Sequence, residues 1–179
     1  MDQETDSNDN TGIDRAFVQA QIGREPRAFA GTAVRCPFGV PAVTRQTPRD
    51  ATGAPFPTAF YLTCPHLVLQ IDRVEAAGGV RRYEAAMAAD PQLRADTLTA
   101  HARHAALDDR GANIAASTNP DRLKCLHAHA AFALAEGEHP LGSMVLREVG
   151  SRWCDNGRCR TRTDLPEGRS SPVGDGPAS

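Results

Sequence analysis

The apolar positions in the first third of the chain predict one helix followed by three short strands. Ile13, Phe17 and Ala20 stand at helical spacing, and Gly23 can end that helix. The last strand, TAFYLT, has the clearest pattern because Thr and aromatic residues favour extended backbone. The turn CPFGVP joins the first two strands as a predicted hairpin. The helix and the strands are predicted over residues 13–22, 28–35, 42–46 and 58–63.

The apolar positions in the rest of the chain have helical spacing. Leu67, Ile71 and Val74 form one apolar stripe, and Asn119-Pro120 has the cap and first-turn residues of a helix start. Helices are predicted over residues 66–77, 80–89, 91–109, 120–136 and 141–149. The fold class is therefore α+β, with a small N-terminal antiparallel sheet of about three strands packed with C-terminal helices.

Composition separates both ends of the chain from its middle. The first ten residues contain four acids and no base, so residues 1–11 are predicted to form a disordered acidic arm. Residues 12–150 are predicted to form a single α+β domain, which fits a length of 179 residues. Residues 151–179 are predicted to form a flexible tail rich in Arg, Gly and Pro.

Charge and hydropathy narrow the classes of function. Twenty basic and 22 acidic residues give a net charge of −2, without the basic surface of a general nucleic-acid binder. No apolar run approaches the roughly 18 residues of a membrane-spanning helix, and the acidic N-terminus is unlike a secretory signal. We therefore expect a cytoplasmic protein that neither binds nucleic acid nor inserts into a membrane. Its cysteines are then expected to be reduced, which favours metal or thiol chemistry over disulfides.

Cysteine and histidine provide the candidate chemistry. Cys36 and Cys64 each precede a proline at the end of a predicted strand, where the chain turns and exposes the sulfur. Cys125 begins a Cys-x-His-x-His array with His127 and His129. Thiolates and imidazoles are the ligands of tetrahedral zinc sites. Together these residues predict a shared metal site, although a single cysteine is commonly a small buried apolar residue.

Helix geometry alone leaves the choice of histidine open. In a regular helix, Cys125 and His129 share a face. His127 would lie about 160° away from His129, beside the apolar stripe that faces the core. Either Cys125 and His129 act together, or His127 reaches inward alone.

Two further groups carry weaker signals. Cys154 and Cys159 flank an Asn-Gly turn, where they could hold a metal, form a reversible disulfide or remain exposed thiols. His101 and His104 stand three apart on a predicted helix and are expected to face solvent.

Five segments stand out together in collinear order: GREPR at 23–27, RCPFGVPAV at 35–43, GAPFPTAFYLTCP at 53–65, RVEAAG at 73–78 and RLKCLHAHAAFALA at 122–135. With these segments the chain resembles the bacterial domain of unknown function 501 family. The resemblance implies no established activity or cofactor. Genes of that family often lie near cell-division and exopolyphosphatase genes, which implies a loose context in the cell envelope or in division. The KCLH motif of the family favours Cys125 and His127 over His129, whereas His139-Pro140-Leu141-Gly142 stands where the family has Asn-Pro-x-Gly.

Three hypotheses of function follow. In the first, the protein binds zinc through Cys36, Cys64, Cys125 and His127, with His129 as the alternative to His127. In the second, it is a non-catalytic interaction module with a protein partner in the cell envelope or division machinery. In the third, it is a thiol-dependent enzyme with Cys125 as its nucleophile.

Overall fold

A computed structural model of the chain describes residues 4–107, 109–157 and 159. Within them the chain forms six α-helices, three strands and a short 3-10 helix at Ile114–Ala116. The helices are α1 Glu4–Ile22, α2 Pro65–Ala76, α3 Gly79–Ala89, α4 Pro91–Ala106, α5 Leu126–Glu136 and α6 Pro140–Glu148. The strands are β1 Phe29–Arg35, β2 Pro41–Gln46 and β3 Phe60–Leu62. No helix within the described ranges is both long enough and apolar enough to cross a membrane.

The strands form one antiparallel sheet in the order β1-β2-β3. Thr44, in the central strand, pairs with Thr32 on one side and with Tyr61 on the other. The predicted hairpin turn closes where the Cys36 N–H donates to the Val40 carbonyl at 2.9 Å. The predicted α+β class, with its N-terminal sheet and C-terminal helices, is confirmed.

The core lies between the sheet and the helices. Phe60 of β3 and Phe132 of α5 are fully buried, and their ring centroids lie 6.0 Å apart. The predicted apolar stripe of α2, formed by Leu67, Ile71 and Val74, is also buried. Helix α5 therefore covers the sheet, and α2 presents its apolar face to the same core.

A buried carboxylate in helix α1 forms hydrogen bonds with the sheet. Asp14 accepts hydrogen bonds from Thr32 Oγ1 at 2.6 Å and from Arg35 Nη1 at 2.9 Å. The helix contains the predicted segment 13–22 but begins at Glu4. Residues 4–11 of the predicted acidic arm lie in α1, and residues 1–3 lie outside the described residues.

Helix α5 begins six residues later than predicted. Asn119 closes a turn, with the Asp121 N–H donating to its Oδ1 at 2.9 Å and the Arg122 N–H donating to its carbonyl at 3.0 Å. The side chain that was expected to cap a helix is therefore used in the turn. Cys125, with φ −158° and ψ 116°, is the N-cap residue of α5 instead.

The expectation that His101 and His104 face solvent is wrong. Both side chains are buried, with at most 2% of their surface exposed. The Ile114 N–H donates to His101 Nδ1 at 3.1 Å, and the Ala59 N–H donates to His104 Nε2 at 2.9 Å. The two histidines therefore serve as acceptors that satisfy buried backbone amides.

Candidate functional site

The start of α5 brings Cys125 and His127 together. Because Cys125 is extended and precedes the helix, its side chain does not follow the helical spacing that would pair it with His129. Its Sγ lies 3.5 Å from His127 Nδ1. The structure therefore brings Cys125 to His127, the pair that the KCLH motif favours, and not to His129, the partner expected in a regular helix.

The ring of His127 is held from both sides. Its Nε2 lies 3.2 Å from the Val68 carbonyl and 3.2 Å from Asp72 Oδ1, and its Nδ1 lies 3.3 Å from Glu75 Oε1. Burial alone would lower the pKa of His127, but the hydrogen bond and charge of Cys125, with the charge of Glu75, raise that pKa to about 9. Before any ligand binds, His127 is therefore an imidazolium at neutral pH.

Glu75 completes the group from the last turn of α2. Its Oε1 accepts a hydrogen bond of 2.6 Å from the Leu126 N–H, one of the free amides at the start of α5. One ligand atom from each of Glu75, Cys125 and His127 lies within 4.8 Å of the other two. Three chemically different metal ligands, all half-buried, therefore meet where α2 contacts α5.

Sequence reasoning missed Glu75, although the chain contains a signal for it. Negative charge is unfavourable near the C-terminal end of a helix, where the backbone dipole is negative. Glu75 stands there in α2, next to the buried Val74. An acid at that position therefore suggests a partner outside its own helix, which the structure shows to be the Leu126 N–H.

A pocket of about 410 Å³ opens beside Cys125 and His127. Its lining is mostly apolar and includes Phe60 and Leu62 of β3 and Val68 of α2. Ala115 lines the pocket with φ 57°, and the next residue, Ala116, has φ 48°. Two successive alanines in the left-handed region are strained, and such strain concentrates at functional sites.

The structure places Cys36 and Cys64 elsewhere. They line a separate, smaller depression together with Cys154 and Cys159. The predicted ligand set is therefore divided between two places, with Cys125 and His127 in one and Cys36 and Cys64 in the other.

The alternative ligand His129 lies in the core. Only 1% of its surface is exposed, and its Nδ1 lies 2.9 Å from His139 Nε2. Its ring also contacts His101 edge-on, at a centroid distance of 5.4 Å. His129 thus belongs to a buried histidine cluster and not to the group around Cys125.

Comparison with known proteins identifies the family of the chain. The family model described as "Protein of unknown function (DUF501)" matches residues 32–119 and 108–147, about two thirds of the chain. The chain belongs to the DUF501 family. No curated protein and no solved structure matches this DUF501 chain. The predicted interaction module and the cytoplasmic location therefore stay predictions.

Proposed function

We propose that this DUF501 protein binds a divalent transition metal, zinc, through Glu75, Cys125 and His127. The arrangement of the His127 ring carries the proposal. Its Nδ1 faces Cys125 Sγ and Glu75 Oε1, while its Nε2 lies 3.2 Å from the Val68 carbonyl. A histidine that binds a metal through one nitrogen commonly donates from the other to a carbonyl or carboxylate in this way.

The charges and the number of ligands support the same proposal. A thiolate, a neutral imidazole and a carboxylate carry two negative charges, which matches one divalent ion. Nitrogen and sulfur ligands favour zinc over magnesium or calcium. Three protein ligands leave one tetrahedral position for water or a bound molecule, as in catalytic zinc sites. The apolar pocket beside the three residues offers room for that molecule.

Zinc affinity of conservative variants tests the proposal. We would remove any tag, strip metal with a chelator, and titrate zinc against a competing chromophoric chelator. Glu75→Gln retains an oxygen that can accept from the Leu126 N–H but removes the charge, so folding is preserved while zinc affinity falls about tenfold or more. Glu25→Gln is the matched control, since Glu25 is exposed and pairs only with Arg15 in the described contacts.

Cys125→Ser should cause a larger loss of zinc affinity than Glu75→Gln, since thiolate is the strongest zinc ligand of the three. If Glu75→Gln and Cys125→Ser both bind as many zinc ions as the unmodified chain, each with unchanged affinity, these residues are not the ligands and the proposal is wrong.

Thiol chemistry is the second candidate, favoured by the position of Cys125 at the N-cap of α5. Its Sγ lies 3.5 Å from His127 Nδ1, and a neighbouring thiol and imidazole are the pair that nucleophilic cysteines use. A nucleophilic Cys125 in the metal-free protein would be alkylated by iodoacetamide faster than the other cysteines. Mass spectrometry of the labelled peptides measures this, and slow labelling of Cys125 at the same rate as the other cysteines would exclude it.

A further inference from the structure

The other four cysteines of the chain gather at one place. Cys36 stands in the hairpin turn after β1, and Cys64 is the N-cap residue of α2. Cys154 and Cys159 follow the last helix. All four line one small depression, although they come from three distant parts of the sequence. This group is separate from Glu75, Cys125 and His127.

The C-terminal segment reaches the depression through specific contacts. Gly157, with φ 56°, lies against the ring of Phe38, and a Cβ there would stand 2.7 Å from Phe38 Cδ1. His66 Nε2 lies 3.1 Å from the Ser151 carbonyl. Trp153 lines the depression as well. The part of the predicted tail that the structure describes therefore packs against both turns that carry Cys36 and Cys64.

Three of the four thiols, those of Cys36, Cys64 and Cys154, interact electrostatically. Cys64 is buried, with 5% of its surface exposed. Burial raises the pKa of its thiol, the backbone amides of Leu67 and His66 lower it, and the charges of Cys36 and Cys154 raise it again.

The spacing in the C-terminal segment suits a metal. Four residues separate Cys154 from Cys159, which is within the range seen for paired cysteines in structural zinc sites. Cys36 and Cys64 each stand at a turn, where a sulfur can point away from the backbone. Among the described residues, no three of these sulfurs lie within 4.8 Å of one another, so binding requires the thiols to rotate inward.

We propose that Cys36, Cys64, Cys154 and Cys159 form a second site for zinc, a structural one with four thiolate ligands. A closed site of this type uses all four tetrahedral positions and leaves none for a substrate. The ion would fasten the C-terminal segment to the hairpin turn and to the start of α2. The site does not depend on the one proposed at Glu75, Cys125 and His127.

Zinc content of the full chain distinguishes the two sites. The chain is purified under reducing conditions, without added zinc and with its tag removed, and its metal is measured by mass spectrometry. If both proposals hold, the unmodified chain carries about two zinc ions, and Cys154→Ser/Cys159→Ser carries about one. Cys125→Ser is the matched control, because it removes a thiol from the other site. If only the four-thiolate site exists, the unmodified chain carries one ion, which Cys125→Ser keeps and the double variant loses.

Two measurements on the unmodified chain keep the test decisive if the double variant fails to fold. Cobalt added to metal-free protein should give the near-ultraviolet band of thiolate-to-cobalt charge transfer, with the intensity expected of five thiolates if Cys125 also binds cobalt and of four if it does not. Bound zinc should slow alkylation of these four cysteines by iodoacetamide about tenfold or more. The proposal is overturned if the folded double variant keeps all the zinc of the unmodified chain, or if zinc leaves the alkylation of Cys154 and Cys159 unchanged. A disulfide between two of the four in protein kept reduced would also overturn it.

Discussion

The buried histidine cluster predicts a specific sensitivity to acid. Burial, with the charges of His101 and Arg103, lowers the pKa of His139 to about 4, from an ordinary value of 6.5. Burial and the charge of His139 likewise lower the pKa of His129. Both rings are therefore neutral in the folded protein near pH 7. Their contact of 2.9 Å needs one nitrogen to donate and the other to accept, so a second proton would break it.

The sign and size of the effect follow from the two pKa values of His139. Below about pH 6.5 the unfolded chain binds a proton at this residue, while the folded chain binds none until about pH 4. Stability is thus present above pH 6.5 and is lost as the pH falls towards 4. A difference of about 2.5 pKa units corresponds to roughly 3 kcal/mol of unfolding free energy.

Urea unfolding of paired variants measures this loss. Protonation of carboxylates in acid also destabilises the folded chain. The informative quantity is therefore the difference in unfolding free energy between the unmodified chain and His139→Gln at each pH. Between about pH 7 and pH 4, the unfolding free energy of His139→Gln should fall by roughly 3 kcal/mol less than that of the unmodified chain. This difference does not depend on how stable the variant is at neutral pH. His66→Gln, a change in a histidine outside the cluster, should keep the acid sensitivity of the unmodified chain. Parallel pH curves for the unmodified chain and His139→Gln would refute the reasoning, as would an NMR titration of His139 centred near 6.5.

Two further predictions concern packing. Phe132→Ala should lower the unfolding free energy by about 3–5 kcal/mol in urea, because the ring is fully buried and its loss leaves a cavity; a cost under about 1 kcal/mol would contradict the central place given to α5. Gly142→Ala should cost about 1–3 kcal/mol, because its Cβ would collide with the backbone carbonyl of His129. Gly12→Ala is the matched control, since a Cβ there meets nothing within 4 Å and alanine favours the helix, so the melting temperature should hold or rise.

Helices and strands could be predicted from the sequence where the spacing of apolar residues within one segment determines the structure. The segment TAFYLT contains β3, and the spacing of Leu67, Ile71 and Val74 gives the buried face of α2. The start of α5 could not be predicted in this way. Asn119-Pro120 is as good a helix start as a turn when considered locally. Contacts with distant residues favour the later start, among them those of the Leu123 N–H with Glu84 and of the Leu126 N–H with Glu75.

The candidate site at Glu75, Cys125 and His127 could be predicted only in part, because only two of its residues are close in sequence. The short array of Cys125 and His127 is local, so a motif could identify it. Glu75 joins it through the packing of α2 against α5, which no spacing within one segment reveals. The separation of Cys36 from Cys125 also depends on packing, because both lie at element ends that look alike in the sequence.

The contact between Phe60 and Phe132 has a consequence for synthesis of the protein. The three strands pair with sequence neighbours, so the sheet can form as soon as β3 has left the ribosome. Phe60 cannot be covered at that stage, because Phe132 belongs to a helix made much later. A nascent chain that ends before α5 therefore exposes an aromatic sheet face, which is the type of surface that chaperones bind and that promotes aggregation. A pause in translation between β3 and α5 would therefore prolong the time for which Phe60 lacks the contact with Phe132.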